Sequence, residues 1–187
     1  RVGCVQQAAP YVVAALCEGG PTLVVTASDK AADALAEALG DFIDPAGIAV
    51  FPAWETLPHE RLSPSGDTIG ARMAVLRRLA HPGEGAPIHV LVTPARAAIQ
   101  PIVRGLGDIE PLRLAVGQAI PMDRLVRGLV DLGFERVELV DRRGQFAVRG
   151  GIVDVFPPAY QHPVRVEFFG DDVEDIRAFS VSDQRSL

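Results

Sequence analysis

The sequence predicts an α/β protein in two parts, a parallel-sheet domain followed by a small α+β domain with an antiparallel sheet. Three observations carry this. Through the first hundred residues, short continuous apolar runs alternate with amphipathic helical stretches. After residue 110 the texture changes to strand-like runs in quick succession. Turn signals of hairpin length, such as Gly170-Asp171-Asp172, separate the last of them. The boundary is placed between 1–110 and 111–187, and 187 residues suffice for two small domains.

In chain order, "APYVVAALC" reads as the end of a helix and "PTLVVTAS" (21–28) as a buried strand. Ser28 offers an N-cap to the helix "DKAADALAEALG", which Gly40 closes. "GIAVFP" (47–52) is a short strand. A helix follows over 67–80, with Ile69, Met73, Leu76 and Leu79 on one side. "IHVLVTP" (88–94) is a third buried strand, and Thr93-Pro94 has the chemistry to open "ARAAIQ" as a helix. Such an alternation implies a parallel sheet covered on both faces.

In the second part, "PMDRLVRGLVDLG" is an amphipathic helix buried along Met122, Leu125, Val126, Leu129 and Val130, with Gly133 as its stop. The runs "RVELV", "QFAVRGGIVDVF", "VRVEFF" and "VEDIRAFSV" are strands of a sheet on which that helix packs.

The bulk numbers exclude several roles. Net charge is −6, which argues against a domain built to grip phosphates. No apolar run reaches the length of a membrane span, and the N-terminus does not resemble a signal peptide. The start at Arg1 reads as trimmed. Cys4 and Cys17 lack zinc spacing and read as buried, inert thiols in a reducing compartment.

A nucleotide site needs clustered glycines followed by lysine and Ser or Thr. The only lysine, Lys30, sits in "ASDKAADA" with no glycine nearby. His59 and Glu60 are neighbours in a proline-flanked loop with no third group spaced to join them, so they read as surface residues. Trp54 reads as an anchor holding that loop on the sheet. No catalytic residues, metal ligands or cofactor contacts are assigned to this segment.

The strands of the second part carry the more pointed signal. In "HPVRVEFFGD", Val164, Val166 and Phe168 alternate with Arg165, Glu167 and Phe169. Arg165 and Phe169 therefore share the outer face, roughly 13 Å apart at about 3.3 Å per residue. In "QFAVRGGIVDVF", Arg149 also points outward, and Gly150-Gly151 permits a sharp bend after it. If the two strands are neighbours, Arg149, Arg165 and Phe169 form an Arg/Arg/aromatic patch of the type that anchors protein interfaces. The alternative pairs Arg165 with Glu167, or Arg149 with Asp154, and folds Phe169 under the hairpin turn. Pattern alone leaves both open.

The stretches "FPAWETLPHERLSPSGDTIGARMAVLRRLA", "LVDLGFERVELVDRRGQF", "FAVRGGIVDVFPP" and "PVRVEFFGDDVEDIRAFSVSDQRSL" resemble the N-terminal region of the bacterial transcription-repair coupling factors. The resemblance runs over nearly the whole chain. This region of the family is also similar to the excision-repair helicase UvrB, which gives the alternative reading of an ATP-dependent helicase domain. Against it stand the missing P-loop and the short loop after Trp54, where UvrB would carry a long aromatic hairpin.

The resemblance implies a degenerate helicase-like α/β domain over 1–110, with "GCVQQAAPYVVAAL" in the place of a P-loop and its helix. It implies a UvrA-binding domain resembling UvrB domain 2 over 111–187, and a return segment after residue 187. UvrA is then the partner of this segment, through Arg149, Arg165 and Phe169. RNA polymerase and DNA would be engaged by other parts of a full-length bacterial cytoplasmic protein, whose separate motor would use ATP and Mg. No cofactor and no membrane contact are implied for this segment.

Overall fold

The computed structural model describes residues 5–56 and 63–187. Cys4, His59 and Glu60 lie outside them. The chain divides into two units, Arg1–Ile109 and Glu110–Leu187.

The first unit contains α1 (Ala9–Cys17), β1 (Thr22–Thr26), α2 (Asp29–Leu39), β2 (Ile48–Val50), α3 (Gly66–Ala80), β3 (Val90–Pro94) and α4 (Ala95–Ile99). Its strands form a parallel sheet in the order β1-β3-β2, with Thr22 and Ile48 both opposite Val90. Central β3 is the most buried, as its apolar run requires. Val13, Ala32, Leu39, Val90 and Val92 form one cluster, and Ala49, Phe51, Ala53, Val75 and Ala97 another. Cys17 is a free, partly buried thiol beside the first cluster. Coverage of both faces fails at edge strand β1, where Leu23 and Val25 stay exposed while Val24 packs inward.

Local chemistry explains the element ends, with two corrections to the sequence reading, at Thr93 and along α3. Ser28 caps α2 by accepting the Ala31 N–H at 3.2 Å. Gly40 closes that helix in a right-handed conformation, φ −60°, through bonds from its N–H to the Ala36 and Glu37 carbonyls; no left-handed turn is involved. Thr93 does not cap α4: its buried hydroxyl donates across the sheet to the Phe51 carbonyl at 2.9 Å, and Pro94 takes the N-cap position. The buried residues of α3 are Gly70, Arg72 and Val75, whereas Ile69 and Leu79 of the expected stripe are exposed. Arg72 turns inward because two aromatic rings from the loop after β2 receive it.

Trp54 anchors that loop, but onto α3 and α4 rather than onto the sheet as expected. The Arg72 guanidinium lies 4.0 Å from the Phe51 ring centroid and 4.2 Å from that of Trp54. Arg72 Nη1 donates to the Pro52 carbonyl at 2.7 Å, the Trp54 N–H donates to Gln100 Oε1 at 2.9 Å, and Arg96 donates to the Trp54 carbonyl.

The second unit contains α5 (Met122–Asp131), β4 (Glu135–Arg136), β5 (Gln145–Arg149), β6 (Ile152–Val155), β7 (Val164–Phe169) and β8 (Asp172–Ala178). The sheet order is β4-β5-β6-β7-β8. All pairs are antiparallel except β4 with β5, so the sheet is mixed, where a purely antiparallel one was expected. Leu125 and Leu129 of α5 pack on Phe146, Val153, Val155, Val166 and Val173, while Val130 stays exposed. Gly133, at φ +82°, stops the helix: its N–H donates to the Val130 carbonyl and that of Phe134 to the Leu129 carbonyl, a left-handed close that glycine permits.

The run "RVELV" pairs with β5 only at its start, through Arg136 and the Val137 N–H, which donates to the Phe146 carbonyl, before its later residues leave the ladder. Val140 packs with Ala147, Phe156 and Phe179 on the face opposite α5. "QFAVRGGIVDVF" is two strands joined at Gly150-Gly151, with Gly150 at φ +60°.

Candidate functional site

The outer face of the second sheet is organised by register. Residues directly opposite one another on paired strands point to the same face. One cross-strand row reads Ala147, Asp154, Arg165, Arg177, and the next reads Arg149, Ile152, Glu167, Asp175. Phe169 stands beyond them at the end of β7, opposite Asp172 and next to the Gly170 turn. The strands of Arg149 and Arg165 are therefore not neighbours: β6 lies between them and carries Asp154.

Asp154 is the hub. It sits in the central strand at 1% exposure, and a carboxylate that deep must be paired. Arg165 grips it with two donors, Nε to Oδ1 at 2.7 Å and Nη2 to Oδ2 at 2.9 Å. Arg149 reaches the same Oδ2 through Nη2 at 2.7 Å. Two guanidinium groups thus share one carboxylate, leaving a net positive charge on the cluster. The bonds to Asp154 hold the Arg165 guanidinium above its ordinary pKa, against the opposing effect of burial and with help from Glu167.

The two arginines differ in what they offer. The Arg165 side chain is 15% exposed and lies over the Phe179 ring, 4.8 Å from its centroid. That of Arg149 is 50% exposed. Phe169 is 77% exposed, so it does not fold under the hairpin turn. The ion pairs of the alternative reading and the outward residues of the patch reading coexist, with Asp154 rather than Glu167 as the hydrogen-bonded partner of Arg165.

Next to this cluster, Arg177 contacts Glu167 and lies 3.1 Å from Asp175. Sequence pattern missed Arg177 as part of this face. Strict alternation in "VEDIRAFSV" puts Val173 and Arg177 on one side. The extra residue, Glu174, breaks the register: Val173 faces Phe168 and Asp175 faces Glu167, so Arg177 emerges beside Arg165. Phe179, the floor under Arg165, was also unassigned.

In the first unit, Lys30 is exposed on α2. Among the described residues no three His, Cys, Asp or Glu side chains gather as a metal site, and no helix is long and apolar enough to cross a membrane.

Comparison with known proteins fits this architecture. Residues 112–187 match the UvrB interaction domain family. The transcription-repair-coupling factor of Mycobacterium tuberculosis (strain CDC 1551 / Oshkosh) is 54% identical over 180 residues, covering 94% of this chain and 14% of that protein. Those of Myxococcus xanthus and Escherichia coli (strain K12) are 38% and 30% identical, over 89% and 90% of the chain and again 14% of each relative. The chain thus spans about a seventh of the length of these relatives. With its two-unit fold and a second unit of UvrB-interaction type, the chain belongs, over the segment it covers, to the transcription-repair-coupling factor family.

Proposed function

We propose that this chain is a non-catalytic docking module that binds UvrA, and that within a longer protein it recruits the excision machinery to RNA polymerase stalled at a lesion. The observation that carries the reading is Phe169, 77% exposed on the outer face of a domain of UvrB-interaction type, beside the Arg149–Asp154–Arg165 cluster. A large exposed aromatic next to held guanidinium groups is the composition of an interface hot spot. Phe169 would enter an apolar pocket on UvrA. Arg149 and Arg165 would meet carboxylates or carbonyls there, with charge-assisted bonds stronger than neutral ones.

The first unit acts as the scaffold that carries this domain. ATP-driven translocation and contact with RNA polymerase and DNA belong to other parts of the longer protein. The net charge of −6 favours a protein partner over nucleic acid for the segment itself.

Titration of the chain with purified UvrA tests this. Phe169→Ala and Arg149→Ala are each expected to weaken binding by about 2 kcal/mol. Phe169→Ala should leave thermal stability nearly unchanged because the ring is exposed, and Arg149→Ala should lower it only modestly because Asp154 keeps its bidentate bonds to Arg165. Arg165→Ala is expected to weaken binding as much and also to lower stability, since it strips the buried Asp154 of its bidentate partner. Binding of folded Phe169→Ala and Arg149→Ala variants at wild-type strength would remove this face from consideration.

A further inference from the structure

We propose that Asp154 is a positioning residue of the docking face, holding Arg149 and Arg165 in the orientation a partner meets; this rests on the docking reading above. The outer face has a covered half and an open half. Val140, Phe156 and Phe179 cover the part around Ala147, where an apolar residue could have filled the position opposite it on β6. A carboxylate stands there, 1% exposed, and among the described residues it accepts hydrogen bonds from two arginines on different strands, one on each side.

Replacing a buried ion cluster by packed apolar groups commonly leaves a fold as stable or more so, so packing alone gives no reason for Asp154. Its geometric effect is specific. Without it, Arg149 would sample many rotamers from the end of β5. With Nη2 fixed on Asp154 Oδ2, the guanidinium is anchored while half of the side chain stays exposed. Arg165 is pinned between Asp154 and the Phe179 ring. Side chains ordered before association lose less freedom when the partner arrives.

The test is a double-mutant cycle read by titration with purified UvrA, with folding of each variant followed by circular dichroism. Asp154→Asn keeps the shape and an acceptor but removes the charge. It is expected to weaken binding about tenfold or more in the wild-type chain, and by a clearly smaller factor once Arg149→Ala is present, the remainder acting through Arg165, because coupled residues are not additive. A purely structural role would lower stability equally in both backgrounds and leave binding by the folded fraction unchanged. Should Asp154→Asn not fold, Asp154→Glu, which retains the charge and displaces it by one methylene, takes its place.

Wild-type binding by the folded Asp154 variant, or an equal loss in both backgrounds, would overturn the inference while leaving the docking reading intact. Wild-type binding by Arg149→Ala and Phe169→Ala would overturn both. Failure of both Asp154 variants to fold would make it a folding residue and overturn the inference too.

Discussion

Arg72 is a cation with 2% of its surface exposed, held by two aromatic faces and by the Pro52 carbonyl. Burial lowers its pKa from the ordinary arginine value. Its contribution is largely shape and stacking: the flat guanidinium fills the slot between the Phe51 and Trp54 rings. Arg72→Ala would empty that slot and is expected to destabilise the chain by about 3 kcal/mol, within the range for large-to-small changes in a core. Arg72→Met keeps most of the volume and removes a charge from a dry site, so its expected cost is only about 1 kcal/mol. Trp54 is the sole tryptophan, so chemical denaturation followed by its fluorescence reads both variants directly. The same residue marks where sequence reading fell short. The periodicity of α3 was legible, but an arginine in the sequence carries no sign that a Phe-and-Trp slot will take it in, so Ile69 and Leu79 were assigned to a face that the first unit leaves exposed.

At the scale of elements, what could be read was whatever depends on neighbours along the chain. Ser28 capping α2, Gly133 ending α5, and the alternation of β7 are local chemistry, and each holds in the structure. What could not be read depends on neighbours across the sheet. The early exit of the "RVELV" run, the parallel pairing of β4, and the placement of β6 between the two arginine-bearing strands follow from pairing partners that a one-dimensional pattern does not specify. The Gly150-Gly151 turn combines both kinds. Its glycines announce a sharp bend, and the fold adds a cross-strand reason for the second: a Cβ on Gly151 would stand 2.9 Å from the Phe168 carbonyl oxygen. Gly151→Ala is expected to cost about 2 kcal/mol, a typical overpacking penalty. Because it pushes on the residue preceding Phe169, it should also weaken UvrA binding more than its exposed neighbour position suggests. Comparing thermal midpoints and affinities for Gly151→Ala and wild type checks both effects.

Across the whole molecule, each unit encloses its own apolar clusters, Val90 and Val92 in one and Phe146, Val153 and Val166 in the other. Residues 110–187 expressed alone are therefore expected to unfold in one cooperative transition, and to retain UvrA binding within about threefold of the longer chain, since all the proposed anchors lie in that unit. A broad, non-cooperative melt would show that the second unit depends on the first. The position of Asp154 on β6 has a further consequence. β6 is the middle strand of five, bonded on both sides, and its Val153, Asp154 and Val155 are all buried. Fluctuations that fray a sheet begin at its margins, here β4 and β8, while a central strand opens only with the whole domain. In hydrogen-exchange experiments the β6 amides should then be among the slowest of the second unit, and the carboxylate that organises the exposed arginines would keep its place through every partial opening short of global unfolding.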